Sequence, residues 1–231
     1  MKINLETIKN LIPDCCDIDT FDISLCSNEE QQSIKDFLPD TKTVVVFGHH
    51  IESSIEWMWF PSKTERRNNN CAADLHLKTI VEKVAKFLSD GNIQNVIIPY
   101  PGSSGIQFKK LAAKTVLGEL GDSYLFLHNE WGPWIHLRVL LTEADVLKDD
   151  LQSKKEPVCI HCQKCLDACP GKAIGMDYFD GLLCDETQDK IKIELQIPEG
   201  YIWKCEQCLR ACPIGKIPEQ IYYRSLLSNE A

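Results

Sequence analysis

Two apolar runs too short for helices stand out in the first half of the chain. Thr43-Val44-Val45-Val46-Phe47-Gly48 and Asn95-Val96-Ile97-Ile98-Pro99 are rich in β-branched residues and end at a breaker, so each reads as a buried strand. Between them, from Ala72 to Asp90, Leu75, Ile80, Val81, Val84 and Leu88 recur at helical spacing, and Gly91 follows where a C-cap belongs. The loop Pro101-Gly102-Ser103-Ser104-Gly105 comes next, then a predicted helix through Leu111 to Leu117. Further strands are expected over 123–127 and 135–141. Strands interleaved with helices predict an α+β or α/β domain. The pattern stops at a charged stretch near residue 150, which we take as a boundary between an α+β domain, 1–150, and a loop-rich region, 151–231.

Composition narrows the chemistry. The 231 residues are 44% hydrophobic, enough for a packed core, and carry a net charge of −9, which argues against nucleic acid as a partner. No apolar run reaches the ~20 residues that would span a bilayer, and the N-terminus lacks a signal-type apolar stretch. The expectation is a cytoplasmic protein with no membrane association. In that compartment twelve cysteines suggest metal rather than disulfides.

Eight of those cysteines lie after residue 157. Cys159, Cys162, Cys165 and Cys169, followed by Pro170, have the spacing C-x2-C-x2-C-x3-C-P of bacterial two-cluster ferredoxins. A second unit, Cys205, Cys208, Cys212 and Pro213, matches the first except at its leading position, where Ile202 stands. A four-coordinate cube then needs a substitute, and Cys184 is the remaining cysteine of the region. The expected sets are therefore Cys159, Cys162, Cys165 and Cys212 for one 4Fe–4S cluster, and Cys169, Cys184, Cys205 and Cys208 for the other. Zinc ribbons also use paired CxxC units but require neither the third cysteine nor the Cys-Pro. Cys15, Cys16, Cys26 and Cys71 lie outside the motifs and read as small buried hydrophobes.

The full first motif, displaced cysteine and shortened second motif together resemble the epoxyqueuosine reductase and reductive dehalogenase group of cobalamin-dependent iron–sulfur reductases. Upstream, Leu111-Ala112-Ala113-Lys114 through Gly118 and Gly121 is similar to the group's L-A-x-K-A-G-L-G-x-x-G segment. Gly132-Pro133-Trp134 through Thr142 is similar to G-S-W-F-x-L-G-E-I-L-T, and Asp74-Leu75-His76 resembles its D-Y-H. The resemblance implies a nitroreductase-like N-terminal domain, followed by a two-cluster ferredoxin-like domain. It also implies a corrinoid held at their junction by Gly102, Ser103, Ser104, Gly118, Gly121 and Trp134. Asp74-x-His76 half-matches another fold's cobalamin signature. Thr79 replaces the glycine there, and His76 reads as a structural histidine.

Two departures shape the functional expectation. The group's acidic proton donor aligns with Gly102, which has no proton to give, leaving Tyr100 as the nearest replacement acid. The chain also ends soon after the second motif, where some relatives carry helical repeats. The expected function is a corrinoid-dependent reductase of a small-molecule substrate fed by an external low-potential donor, with little epoxyqueuosine reductase activity. The alternatives are an electron carrier serving a redox partner protein, and a corrinoid-binding module.

Overall fold

The computed structural model describes residues 2–57, 59–61, 69–100, 105–148, 157–197 and 204–219. Its frame is a four-stranded sheet in the order Cys16–Asp22, Thr43–His50, Ile135–Thr142, Asn95–Ile97, with every neighbouring pair antiparallel. An antiparallel strand with one wet face alternates apolar and polar residues. Val44-Val45-Val46-Phe47 does not alternate because both faces are covered. Val44 and Val46 pack with Ile34, Phe108 and Leu111, whereas Val45 and Phe47 pack with Leu77, Val81 and Val84.

The second of those layers is the helix Ala72–Asp90, with the bounds the pattern predicts. The Cys71 sulfur accepts the Asp74 N–H at its start, and the Gly91 N–H bonds back to Phe87 and Leu88 at its end. Its buried face is Leu77, Ile80, Val81, Val84 and Leu88, worth about 1.5–3 kcal/mol per fully buried side chain. Leu75, expected on that face, is 48% exposed, and Leu77 takes its place. The helix expected through Leu117 runs only from Phe108 to Ala112. The Thr115 hydroxyl donates to the Ala112 carbonyl and accepts the Leu117 N–H, closing the chain into a turn. Gly118–Leu120 then pairs with Phe126–His128 as a hairpin, displacing the strand expected from 123. The strand Cys16–Asp22 escaped the pattern reading altogether.

Among the described residues the cysteine-rich segment contains three helices, Lys164–Asp167, Gly181–Glu194 and Gln207–Arg210. Several contacts fasten it to the sheet region. Glu119 accepts the N–H groups of Val158 and Cys159. Gly132 and Gly215 lie so close that a Cβ on either would strike the other's strand of backbone, at Ile214 and Trp131. Finally, Ser54 N–H bonds to the Glu219 carbonyl, and Glu219 N–H bonds to that of Glu52. Among the described residues no helix is long and apolar enough to cross a membrane.

Candidate metal centres

The chain path of the first motif brings its thiols to one side. His161 and Gln163 take left-handed backbone angles, φ 52° and 60°, so the chain bends twice at non-glycine residues within the motif. Cys212 arrives from the other end of the segment. The four line one open recess with Asp122, Ser123, Leu127 and Ile214. Burial pushes the Cys165 and Cys212 thiols up, and neighbouring cysteines add to it. Such thiols stay protonated until a cation takes them as thiolates.

The second gathering is more enclosed. Cys169, Cys184 and Cys208 pack with Ala173, Ile174 and Leu183. Cys205 lies close enough to Cys169, Cys184 and Cys208 for their charges to couple. Burial, then Cys205, Cys169 and Cys184, push the Cys208 thiol up to about 12. Cys184 reaches the group because it sits one turn into the Gly181–Glu194 helix, which Asp180 caps. Gln188, one turn further, donates to the Cys184 sulfur at 3.6 Å and accepts the Cys205 N–H at 3.1 Å. The Ala173 N–H points at the Cys169 sulfur at 3.3 Å. Four thiols with amide donors around them fit an iron–sulfur cube, whose sulfurs and thiolates such donors stabilise. Gln188 and Glu119 escaped sequence reading because their roles rest on backbone N–H groups far along the chain.

The corrinoid-contact expectation fares differently. Gly102, Ser103 and Ser104 lie outside the described residues. Gly118 has the Leu127 carbonyl 1.9 Å from where a Cβ would sit, so its close approach is to the hairpin partner. Gly121 faces the Leu127 side chain, with the Cys159 sulfur 3.6 Å beyond the Cβ position. Trp134 is 0% exposed, tilted against Trp57 and covered by the Arg210 guanidinium. Among the described residues, the space immediately beside these three is taken up by protein. Tyr100 stacks on His136 at 5.1 Å, and burial, then Cys71 and Asp74, push its hydroxyl above the ordinary value, away from acid catalysis at neutral pH. His136 and Arg138 both bond the buried Asp74 carboxylate, at 2.9 Å and at 2.8 and 2.6 Å.

The 4Fe-4S dicluster domain family matches residues 158–216, which makes this an iron–sulfur protein of the two-cluster class. Epoxyqueuosine reductase of Lactococcus garvieae (strain Lg2) is 26% identical over 215 residues, covering 81% of this chain and 56% of that protein. A crystal structure of epoxyqueuosine reductase with an epoxyqueuosine-modified tRNA-Tyr stem loop superimposes with a TM-score of 0.63 at 19% identity, over 90% of this chain and 63% of that one. The Bacillus subtilis epoxyqueuosine reductase, solved with its catalytic aspartate loop swung out of the active site, gives 0.58 at 19% identity, over 92% and 64%. The chain is similar to epoxyqueuosine reductases in sequence and in fold. It spans about half the length of the curated relatives it matches. A neighbour of this fold that holds a tRNA stem loop runs against the expectation that nucleic acid is no partner. Net charge is a sum over the whole chain, whereas phosphate contacts are local.

Proposed function

We propose that this chain is an iron–sulfur oxidoreductase in which Cys159, Cys162, Cys165 and Cys212 hold one 4Fe–4S cluster. Cys169, Cys184, Cys205 and Cys208 hold the second. The observation that carries this reading is the gathering of eight cysteines into two separate sets, each drawing one member from across the segment. When bound, the clusters supply one-electron transfer at a potential tuned by hydrogen bonds and burial. The chain holds the sulfurs, excludes water and aims amides at them. The nitroreductase-like description of residues 1–150 belongs to the same proposal and rests on the family resemblance.

The substrate reading rests on the similarity to epoxyqueuosine reductases. A tRNA-borne epoxyqueuosine is the leading candidate, and a small molecule the second. A corrinoid is implied by resemblance alone, and Gly118, Gly121 and Trp134 would not be its contacts. Gly102, at the family's acid position, and the half-buried Tyr100, whose hydroxyl is pushed up, favour a second reading, an electron carrier without turnover of its own.

Anaerobically purified protein tests the proposal. About eight iron and eight sulfide per chain are expected, with reduced-cluster resonances after dithionite treatment. Iron below about four per chain, with zinc in its place, would overturn it. A visible spectrum before and after adding cobalamin tests corrinoid binding. Turnover of an epoxyqueuosine-modified stem loop by the wild type and by Gly102→Asp separates reductase from carrier. Reduction by the unmodified chain makes it a reductase, and gain of activity only in Gly102→Asp identifies the missing acid.

A further inference from the structure

Four metal-ligating side chains meet at a place remote in sequence from both cysteine motifs. Cys15, Cys16, His49 and His76 each offer one ligand atom, and these atoms all lie within 4.8 Å of one another. Three elements supply them. Cys16 opens the strand Cys16–Asp22 and stands directly opposite His49 in the antiparallel register. Cys15 precedes it, its carbonyl holding the His50 N–H at 3.0 Å. His76 comes from the early turns of the Ala72–Asp90 helix, its ring centroid 4.9 Å from that of His49.

Two of the six ligand–ligand edges come close to those of a tetrahedron. The Cys16 sulfur lies 3.7 Å from His49 Nδ1, and the Cys15 sulfur 3.8 Å from His76 Nε2. For Zn–S of about 2.3 Å and Zn–N of about 2.0 Å, a sulfur–nitrogen edge of a tetrahedron is about 3.5 Å. Closing on an ion therefore asks for small movements of side chains already turned toward one another. Both thiols are free of disulfide.

A second, independent feature orients one ligand. The other ring nitrogen of His49, Nε2, is 2.7 Å from Glu56 Oε2, and Oε1 of the same carboxylate accepts the N–H groups of Glu52 and Ser53 at 3.0 and 2.9 Å. A carboxylate on the outer nitrogen of a histidine fixes the tautomer that presents the inner nitrogen as a lone pair. This is the usual outer partner of a metal-bound imidazole.

The geometry points to a four-coordinate zinc site formed by Cys15, Cys16, His49 Nδ1 and His76 Nε2, with Glu56 as its outer carboxylate. With four protein ligands and no open position, the site is structural, tying the edge strand and the long helix to the central strand. It is independent of the cluster cysteines and stands or falls apart from the redox reading.

Metal analysis of the full chain, purified anaerobically from zinc-supplemented cells, tests this. About one zinc per chain is expected beside the iron. In Cys15→Ser and His76→Gln, changes at the two more exposed ligands, zinc should fall at least tenfold while iron stays at the wild-type level. Zinc K-edge absorption of the wild type needs no variant to fold, and a shell of two sulfurs and two imidazole nitrogens is expected. Three results would overturn the site: a four-sulfur shell, which would place zinc at cluster cysteines; iron-replete protein without zinc; or a Cys15–Cys16 disulfide found by mass spectrometry.

Discussion

Glu119 Oε1 accepts the Cys159 N–H at 2.7 Å and the neighbouring Val158 N–H at 2.8 Å. One carboxylate oxygen on a hairpin strand thus fixes the first residue of the first cysteine motif. Glu119→Ala leaves two amides without their acceptor, at about 1.5–3 kcal/mol for bonds to a charged group. The expected outcome is a lower thermal midpoint and slower loading of iron at Cys159, with the second cluster retained. Glu119→Gln, which keeps an acceptor oxygen, should recover most of the loss. Iron content and calorimetry on both variants check this.

Cys184 supplies the ligand that the second motif lacks. Cys184→Ala is expected to lower iron from about eight to about four per chain and to leave the signals of the other cluster. Unchanged iron would mean that a different group completes the set. The partner experiment is Cys212→Ala, which should remove the opposite cluster, since Cys212 lines the recess with Cys159, Cys162 and Cys165.

The parts legible in the sequence are those in which a short-range rule and the tertiary environment agree. The Ala72–Asp90 helix has helical periodicity, a cap at Gly91 and a face that meets the sheet, so its bounds were readable. The grouping of the cysteines could be proposed from the sequence because ligand count and motif phase constrain it. The strand Cys16–Asp22 was not, because Asp17, Asp19 and Asp22 disfavour a strand locally. What compensates is distant: Asp19 pairs with Lys148 at 2.6 Å and accepts the Val116 N–H, and Asp17 meets His128. The pairing of Cys15 and Cys16 with His49 and His76 was hidden for the same reason. Cys15 and Cys16 read as small hydrophobes until the register sets Cys16 opposite His49.

Gln188 touches both Cys184 and the Cys205 backbone, which makes it a handle on one cluster alone. Gln188→Glu keeps an acceptor for the Cys205 N–H and replaces the donor facing the Cys184 sulfur by a negative charge. Hydrogen bonds to cluster sulfurs and the local net charge set reduction potential. The potential of that cluster should become more negative and the other should not move. A redox titration followed by electron paramagnetic resonance reads the two separately, and equal shifts in both would contradict the separation of the two sets.

The buried Asp74, His136 and Arg138 group sets an acid limit on stability. Burial pushes the Asp74 carboxyl up, but the bonds from His136 and Arg138 outweigh it and leave it below its ordinary 3.8. Burial pushes His136 below its ordinary 6.5, against the opposing pull of Asp74. Both groups therefore bind fewer protons folded than unfolded, so stability rises with pH across each window. The His136 contribution is full above about 6.5 and is lost as pH falls below that value. The Asp74 contribution is full above about 3.8 and is lost at lower pH still. Removing the guanidinium with Arg138→Leu leaves the carboxylate buried with one fewer partner, at about 3–5 kcal/mol. Thermal midpoints between pH 5 and 8, taken as the difference between wild type and His136→Gln at each pH, cancel any acid lability of the clusters. That difference should vary with pH below about 6.5 and be flat above it. A difference flat throughout would show that His136 does not titrate on unfolding in this range.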